Sequence, residues 1–302
     1  MKIYCSYSEC LSLKTDPKNE LFVRNGTYFR KSDGQCIPRF RCLKCRRSFS
    51  SSRLTDTFGQ KKRKINYPLF QLLVSGVSQR RSAMLLKVNR KTVSRKLRFL
   101  GICSRAAQDV WLKDLSQNPV SHIQFDDLET SEHSKCKPLS VALAVEPSSR
   151  KILGFQVSQM PAKGHLAAIS RKRYGMRKDE RMEGWNKLFS SLVNVVTPDA
   201  TFLSDENPHY VKPLKKYFPN GCHQTVQGQR GCVSGQGELK KIGNDPLFSL
   251  NHTCAMLRAN LNRLFRRTWC TTKTRLGLID HLSLYVWFHN QQLTNDIPKN
   301  TQ

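Results

Sequence analysis

Between Thr57 and Gln108 the chain has no Asp or Glu and thirteen Lys and Arg. These 52 residues also keep a helical apolar rhythm, LLVSGVSQRRSAMLLKVNRKTVSRKLRFLG. A helical segment that excludes every carboxylate is built to sit against a polyanion, and nucleic-acid phosphate is the obvious one. The pattern predicts a first helix over Tyr67–Ser75 closed by Gly76, and a second over Gln79–Leu86. After a turn at Lys87-Val88-Asn89, a third is predicted over Arg90–Leu100, with Gly101 as its stop. On the third helix Val93, Leu97 and Leu100 recur at spacings of four and three and supply a buried stripe. The other face carries Arg90, Lys91, Thr92, Ser94, Arg95 and Arg98. A helix of this kind can lie in a major groove, where Arg reads guanine and Thr or Ser contacts phosphate or base. Lys61, Lys62, Arg63 and Lys64 form a basic linker suited to phosphate contact. A solvated basic helix pair is the plainer alternative.

The whole chain shares this bias, with a formal charge of +29 over 302 residues. So large a field favours a nucleic-acid partner. The length allows two or three domains. No stretch approaches the roughly 20 apolar residues that span a bilayer. The late run from Leu276 to Phe288 is interrupted by Asp280 and His281. MKIYCSYSEC has no apolar signal core, so a cytoplasmic, nucleoid-associated protein is expected. In that reducing compartment eleven cysteines are not a disulfide framework.

Four of the cysteines are paired in sequence. Cys5 and Cys10 flank four residues, and Cys42 and Cys45 flank two within RFRCLKCRRSFS. Between the pairs lies LFVRNGTYFRKSDGQCIPRFRC, with turns expected at Asn25-Gly26 and Asp33-Gly34. Two cysteine knuckles joined by short strands have the layout of a zinc ribbon. Four thiolates suit structural Zn2+, and the metal replaces a core that so short a segment cannot build. Cys36 stands in the hairpin and reads as packing. Ordinary buried thiols at Cys5 and Cys10 are the alternative. Cys103, Cys136, Cys222, Cys232, Cys254 and Cys270 are scattered singly and read as core.

From His122 the pattern changes to strands. HIQFDDLET, PLSVALAVE and KILGFQVS predict three antiparallel strands, followed by a helix over Asp179–Val196. ATFLSDENPHY is an apolar strand ending at Asp205. A short helix (His209–Tyr217), a strand near Cys222–Val226 and a long helix from about Pro246 to Arg267 follow. This order is that of an RNase H-like α/β fold. In it Asp126 and Asp205 lie on neighbouring strands and can face each other across a pair of divalent ions. Asp127 points to the opposite face, so only one of the adjacent acids enters the site. A capping role could by itself explain Asp205 in SDENP. Glu129 and Glu132 read as solvated.

Taken together, RFRCLKCRRSFS, GVSQRRSAMLLKVNRKTVSRKLRFLG, FDDLET, PLSVALAVE, FLSDENPHY and LNHTCAMLRANLNRLFRRTWCTTK cover nearly the whole chain. In these segments it resembles bacterial insertion-sequence transposases of the zinc-ribbon, helix-turn-helix and DDE type. The resemblance implies Mg2+- or Mn2+-dependent strand cleavage and transfer on double-stranded DNA, by a homo-oligomer on the element ends. It places the first two carboxylates on Asp126 and Asp205. The family's third ligand is usually Glu, with a basic residue seven positions on. Here Arg258 is the basic residue and Asn251 holds the ligand position, as in some relatives. An amide oxygen can ligate Mg2+ but carries no charge. His252, Glu238 and Asp245 are nearby substitutes; imidazole is a poor Mg2+ ligand, and Asp245 before Pro246 reads as a helix cap.

The expected organisation is therefore a zinc ribbon (1–53), a helix-turn-helix domain (54–118), a catalytic domain (119–292) and a polar tail (293–302). MPAKGHLAAISRKRYGMRK reads as a basic DNA-contacting loop, and RLFRRTWCTTKTR as another phosphate-contacting face. Trp269 is equally readable as a core anchor or a base-stacking residue. Besides a transposase, two functions stay open: a non-catalytic DNA-binding regulator derived from one, and a nuclease of the same fold that cuts without joining.

Overall fold

The computed structural model describes residues 3–10, 21–227, 245–265 and 269–295. The chain divides into two compact units, Met1–Leu69 and Phe70–Gln302. The sequence reading sets domain boundaries at 53/54 and 118/119; the compact units meet within helix α1 (Asn66–Val74).

The first unit is a three-stranded antiparallel sheet of β1 (Phe22–Arg30), β2 (Gln35–Cys42) and β3 (Ser48–Ser50). Gly34, at a φ of 70°, closes the turn between β1 and β2, with its N–H donating to the Arg30 carbonyl at 3.0 Å. Asn25-Gly26 is not the expected turn. The register shifts between Arg24 and Thr27, so the pair forms a bulge inside β1. Gly26 accepts a φ of 72° there because it has no Cβ. The apolar core is small: Phe49 lies between Phe22 and Phe40, with ring centroids 6.0 and 5.9 Å away.

The second unit is built on a five-stranded mixed sheet in the order β6-β5-β4-β7-β8. Its first three strands, β4 (Val120–Ser131), β5 (Pro138–Val145) and β6 (Ile152–Gln159), form an antiparallel meander. The chain then crosses over through α4 (Leu166–Tyr174) and α5 (Arg181–Leu192) to β7 (Val196–Ser204). β7 pairs in parallel with β4, and β8 (Cys222–Thr225) pairs in parallel with β7 beyond α6 (Val211–Tyr217). Alternation along β4 turns Ile123 and Phe125 toward α5 and Gln124 and Asp126 away from it. Phe125 is fully buried, with ring centroids of Trp185, Phe189 and Tyr210 at 5.3, 5.4 and 5.0 Å. That aromatic cluster fixes one face of the sheet and the height of β4 within it. α7 (Phe248–Asn260) packs against β4 and β5.

The segment expected to form a helix-turn-helix folds as α1, α2 (Gln79–Leu85) and α3 (Arg90–Leu115). Ser78 and Asn89 cap the latter two, accepting from the backbone N–H of Arg81 at 3.3 Å and of Lys91 at 2.8 Å. α3 does not stop at Gly101 but continues for 26 residues in all. Its glycine is required by packing, not termination. A Cβ at Gly101 would lie 2.8 Å from Cα of Asp280 in α8 (Arg275–Asn295), which runs alongside α3. Helix propensity alone would make Gly101→Ala stabilising by about 1 kcal/mol. The clash with α8 backbone reverses the sign, so a net loss of about 1–3 kcal/mol is expected. Urea denaturation followed by circular dichroism checks this, and a stabilised variant would contradict the close α3–α8 approach.

Three other expectations change. The basic stretch read as a loop contains α4, anchored by Ser170 Oγ donating to the Cys136 carbonyl at 2.6 Å. The helix expected to reach Arg267 ends at Asn260, where buried Leu261 turns the backbone extended. Residues 293–295 of the expected tail belong to α8, while 296–302 lie outside the described residues. Asn290 of α8 holds the sheet edge, accepting from Ile152 N–H at 2.8 Å and donating to its carbonyl at 2.9 Å. No helix among the described residues is long and apolar enough to cross a membrane.

Candidate functional site

In the first unit the sulfurs of Cys5, Cys10, Cys42 and Cys45 all lie within 4.8 Å of one another. Cys5 and Cys45, and Cys10 and Cys42, are each 3.7 Å apart. Sulfurs at about 2.3 Å from a tetrahedral ion are about 3.8 Å apart, so the cluster fits that coordination. Cys5, Cys10 and Cys42 are buried and Cys45 is half-buried. Burial, with the neighbouring thiols of Cys10, Cys45 and Cys42, pushes the Cys5 thiol up to about 12. Four crowded sulfurs of this kind can hold a metal such as zinc. Cys36 is exposed and outside the cluster.

In the second unit Asp126 occupies the central strand β4, and Asp205 directly follows the C-terminal end of the parallel neighbour β7. The Asp126 carboxyl is pushed up to about 7, first by burial and then by the Asp205 charge. Its Oδ1 accepts from the Tyr210 hydroxyl at 3.1 Å and from Asp127 N–H at 2.6 Å. Burial and the surrounding carboxylates raise the Tyr210 pKa, so the hydroxyl stays a donor. Asp127 takes the other face of β4, where its Oδ1 accepts from Ser140 Oγ at 2.6 Å. Asp205 Oδ1 accepts from Asn207 N–H at 3.3 Å in a turn that precedes α6.

Helix α7 is held against β4 by Gln124, two residues before Asp126 and on the same face. Buried Gln124 donates from Nε2 to the Pro246 carbonyl at 2.8 Å and accepts at Oε1 from Leu250 N–H at 3.0 Å. The next residue of α7 is Asn251, whose Nδ2 donates to Asp245 Oδ2 at 2.9 Å. That bond engages the amide nitrogen. The other Asp245 oxygen accepts from Leu247 N–H at 2.9 Å at the helix start. Cys254 lies three residues beyond Asn251. Its thiol is pushed up to about 12 by burial and by the Asp126 charge, while Arg258 opposes the rise. His252 takes a different face, tilted against Phe248 at 5.8 Å between ring centroids. Glu238 and Cys232 lie outside the described residues.

The basic residues divide between the units. Lys61, Lys62 and Lys64 are exposed and Arg63 is half-buried in the first. Arg90, Lys91, Arg95 and Arg98 are exposed on α3, with Thr92 half-buried. Val93 and Leu97 are buried beneath them. Trp269 is 99% exposed, which removes the core-anchor reading.

Comparison of the sequence with models of protein families finds no match, and a search of curated proteins finds none similar to it. Sequence reasoning missed Gln124, Tyr210 and the Asp245–Asn251 bond. Gln124 had a signal, since a polar residue two positions before Asp126 shares its face. Tyr210 and Asp245 had none that separates them from ordinary core and cap residues.

Proposed function

We propose that the chain is a transposase of the insertion-sequence kind, combining a zinc ribbon, a helix-turn-helix and an RNase H-like catalytic half. It binds double-stranded DNA at element ends and cleaves and transfers strands with Mg2+ or Mn2+. The observation that carries this reading is the pairing of Asp126 on the central strand with Asp205 at the end of its parallel neighbour, close enough for one charge to raise the other's pKa. The strand order, with three antiparallel strands followed by two parallel ones, supports the RNase H-like assignment.

The donor set fits a hard divalent cation: two carboxylates and an amide oxygen on α7. Asp126, Asp205 and Asn251 would hold it. When bound, such an ion stabilises charge on the attacking and leaving oxygens of a phosphoryl displacement. Tyr210 orients Asp126, Asp245 orients Asn251, and Gln124 holds α7 to the strand. Arg258 supplies positive charge on the same side of α7 for a phosphate. Arg90, Lys91, Thr92, Arg95 and Arg98 meet the duplex, with Lys61, Lys62, Arg63 and Lys64 on phosphate. The reading includes a homo-oligomer assembled on DNA and association with the nucleoid.

The test is strand joining in vitro on DNA flanking this gene. The wild type is expected to join strands only with Mg2+ or Mn2+. Asp205→Ala is expected to lose joining and keep its affinity for the ends. Full joining by Asp205→Ala would remove the assignment. Asn251, in place of a third carboxylate, favours the second reading, a non-catalytic regulator. Site-specific binding with no metal-dependent chemistry would establish that one.

A further inference from the structure

A groove of about 1000 Å3 runs between the starts of α2 and α3 and the segment that leads into α8, within the second unit. One wall carries Arg80, Arg90, Arg95 and Arg98; the other carries Lys273 and Trp269. Asp280 is the acid of this lining. It is 3% exposed, and its Oδ1 accepts from Arg105 Nη1 at 3.0 Å, so its charge is already engaged. The close approach of α3 and α8 at Gly101 fixes the separation of the walls at their base.

Two properties of this groove select its ligand. Its charge selects a polyanion. Its fully exposed indole selects a flat apolar surface, because a side chain that large gains most by covering a ring face. Phosphates and bases together supply both. Base faces inside a duplex are already stacked, and stacking on aromatic side chains is the mode of single strands.

We propose that this groove binds an unpaired DNA strand, with the backbone on the arginine wall and one base stacked on Trp269. The inference rests on the DNA-binding part of the proposed function and is independent of the metal site. It adds a second mode of contact to the recognition helix, for strand ends that are frayed or already cut.

The test uses the full chain without added divalent ion. A twelve-nucleotide dT strand, a duplex of equal length and heparin are each titrated into wild type, Trp269→Ala and Trp269→Phe. Loss of one stacked base is expected to weaken dT binding by Trp269→Ala roughly ten-fold or more. Trp269→Phe is expected to keep most of the affinity, and heparin to bind all three proteins equally. Trp269 is almost fully exposed, so its replacement is expected to leave the thermal midpoint unchanged. Equal dT affinity for wild type and Trp269→Ala would overturn the inference. So would duplex binding with no dT binding, and that result would leave the proposed function standing. Binding of neither DNA would overturn both.

Discussion

Stripping the metal from Cys5, Cys10, Cys42 and Cys45 is expected to unfold the first unit and leave the second intact. The apolar core around Phe49 is too small to offset the conformational entropy of its strands. Binding of a structural zinc contributes about 10–16 kcal/mol, more than the whole stability of an ordinary domain. Without the ion, the buried Cys5 thiol is held protonated, with its pKa pushed up to about 12. Hydrogen exchange after chelation gives the readout. Amides of β1 and β2 are expected to lose protection, while those of β4 and β5 keep theirs. Cys42→Ser is expected to reproduce the effect without chelator. Unchanged protection of β1 and β2 after removal of all metal would show that the sulfurs are ordinary packing.

The second large effect concerns Asp126, where stability and the proposed activity move in opposite directions. An unfolded Asp titrates near 3.9, whereas burial and Asp205 push this one up to about 7. Below pH 4 both states hold the proton and the acid costs nothing. Between pH 4 and 7 the unfolded state releases its proton while the folded state keeps it, so stability falls as pH rises. Above pH 7 the loss levels off, on the order of 4 kcal/mol. Asp126→Asn removes the charge and is expected to recover most of that loss. Without divalent ions at pH 8, its thermal midpoint is expected to rise by about 5–15 °C. At pH 4 the two proteins should melt together. Mg2+ is expected to stabilise the wild type alone, and strand joining by the variant is expected to fall to background. A variant less stable than wild type at pH 8 would mean that the carboxylate is favourably ionised.

How much of this was legible in the sequence depends on the range of the interaction. The cysteine pairs, the three-strand meander and the apolar strand ending at Asp205 are local patterns, and each appears in the fold near its expected place. Gly101 was misread because a glycine after a helical stripe looks like a stop, and only α8, some 175 residues later, shows why it is there. α4 was hidden because its basic residues give it little amphipathic contrast, and its anchor is a carbonyl on a distant turn. Of the candidate catalytic residues, the two aspartates could be placed from strand order. The holding of Asn251 by Asp245 and of α7 by Gln124 could not, because those bonds join segments more than 120 residues apart or depend on how a helix begins.

The unbroken course of α3 has a mechanical consequence. At about 1.5 Å per residue, its 26 residues make a rod of about 39 Å. One end presents Arg90, Arg95 and Arg98. Toward the other end Trp111, Leu112 and Leu115 pack on the core beneath the sheet, and Gln108 Nε2 donates to the Ile152 carbonyl at 3.1 Å. A flexible tether would let the two ends drift; a helix makes them one ruler. On the proposed function, the offset between recognised base pairs and the severed bond is then written into helix length. Each added residue would advance the reading face by about 1.5 Å and rotate it by about 100°.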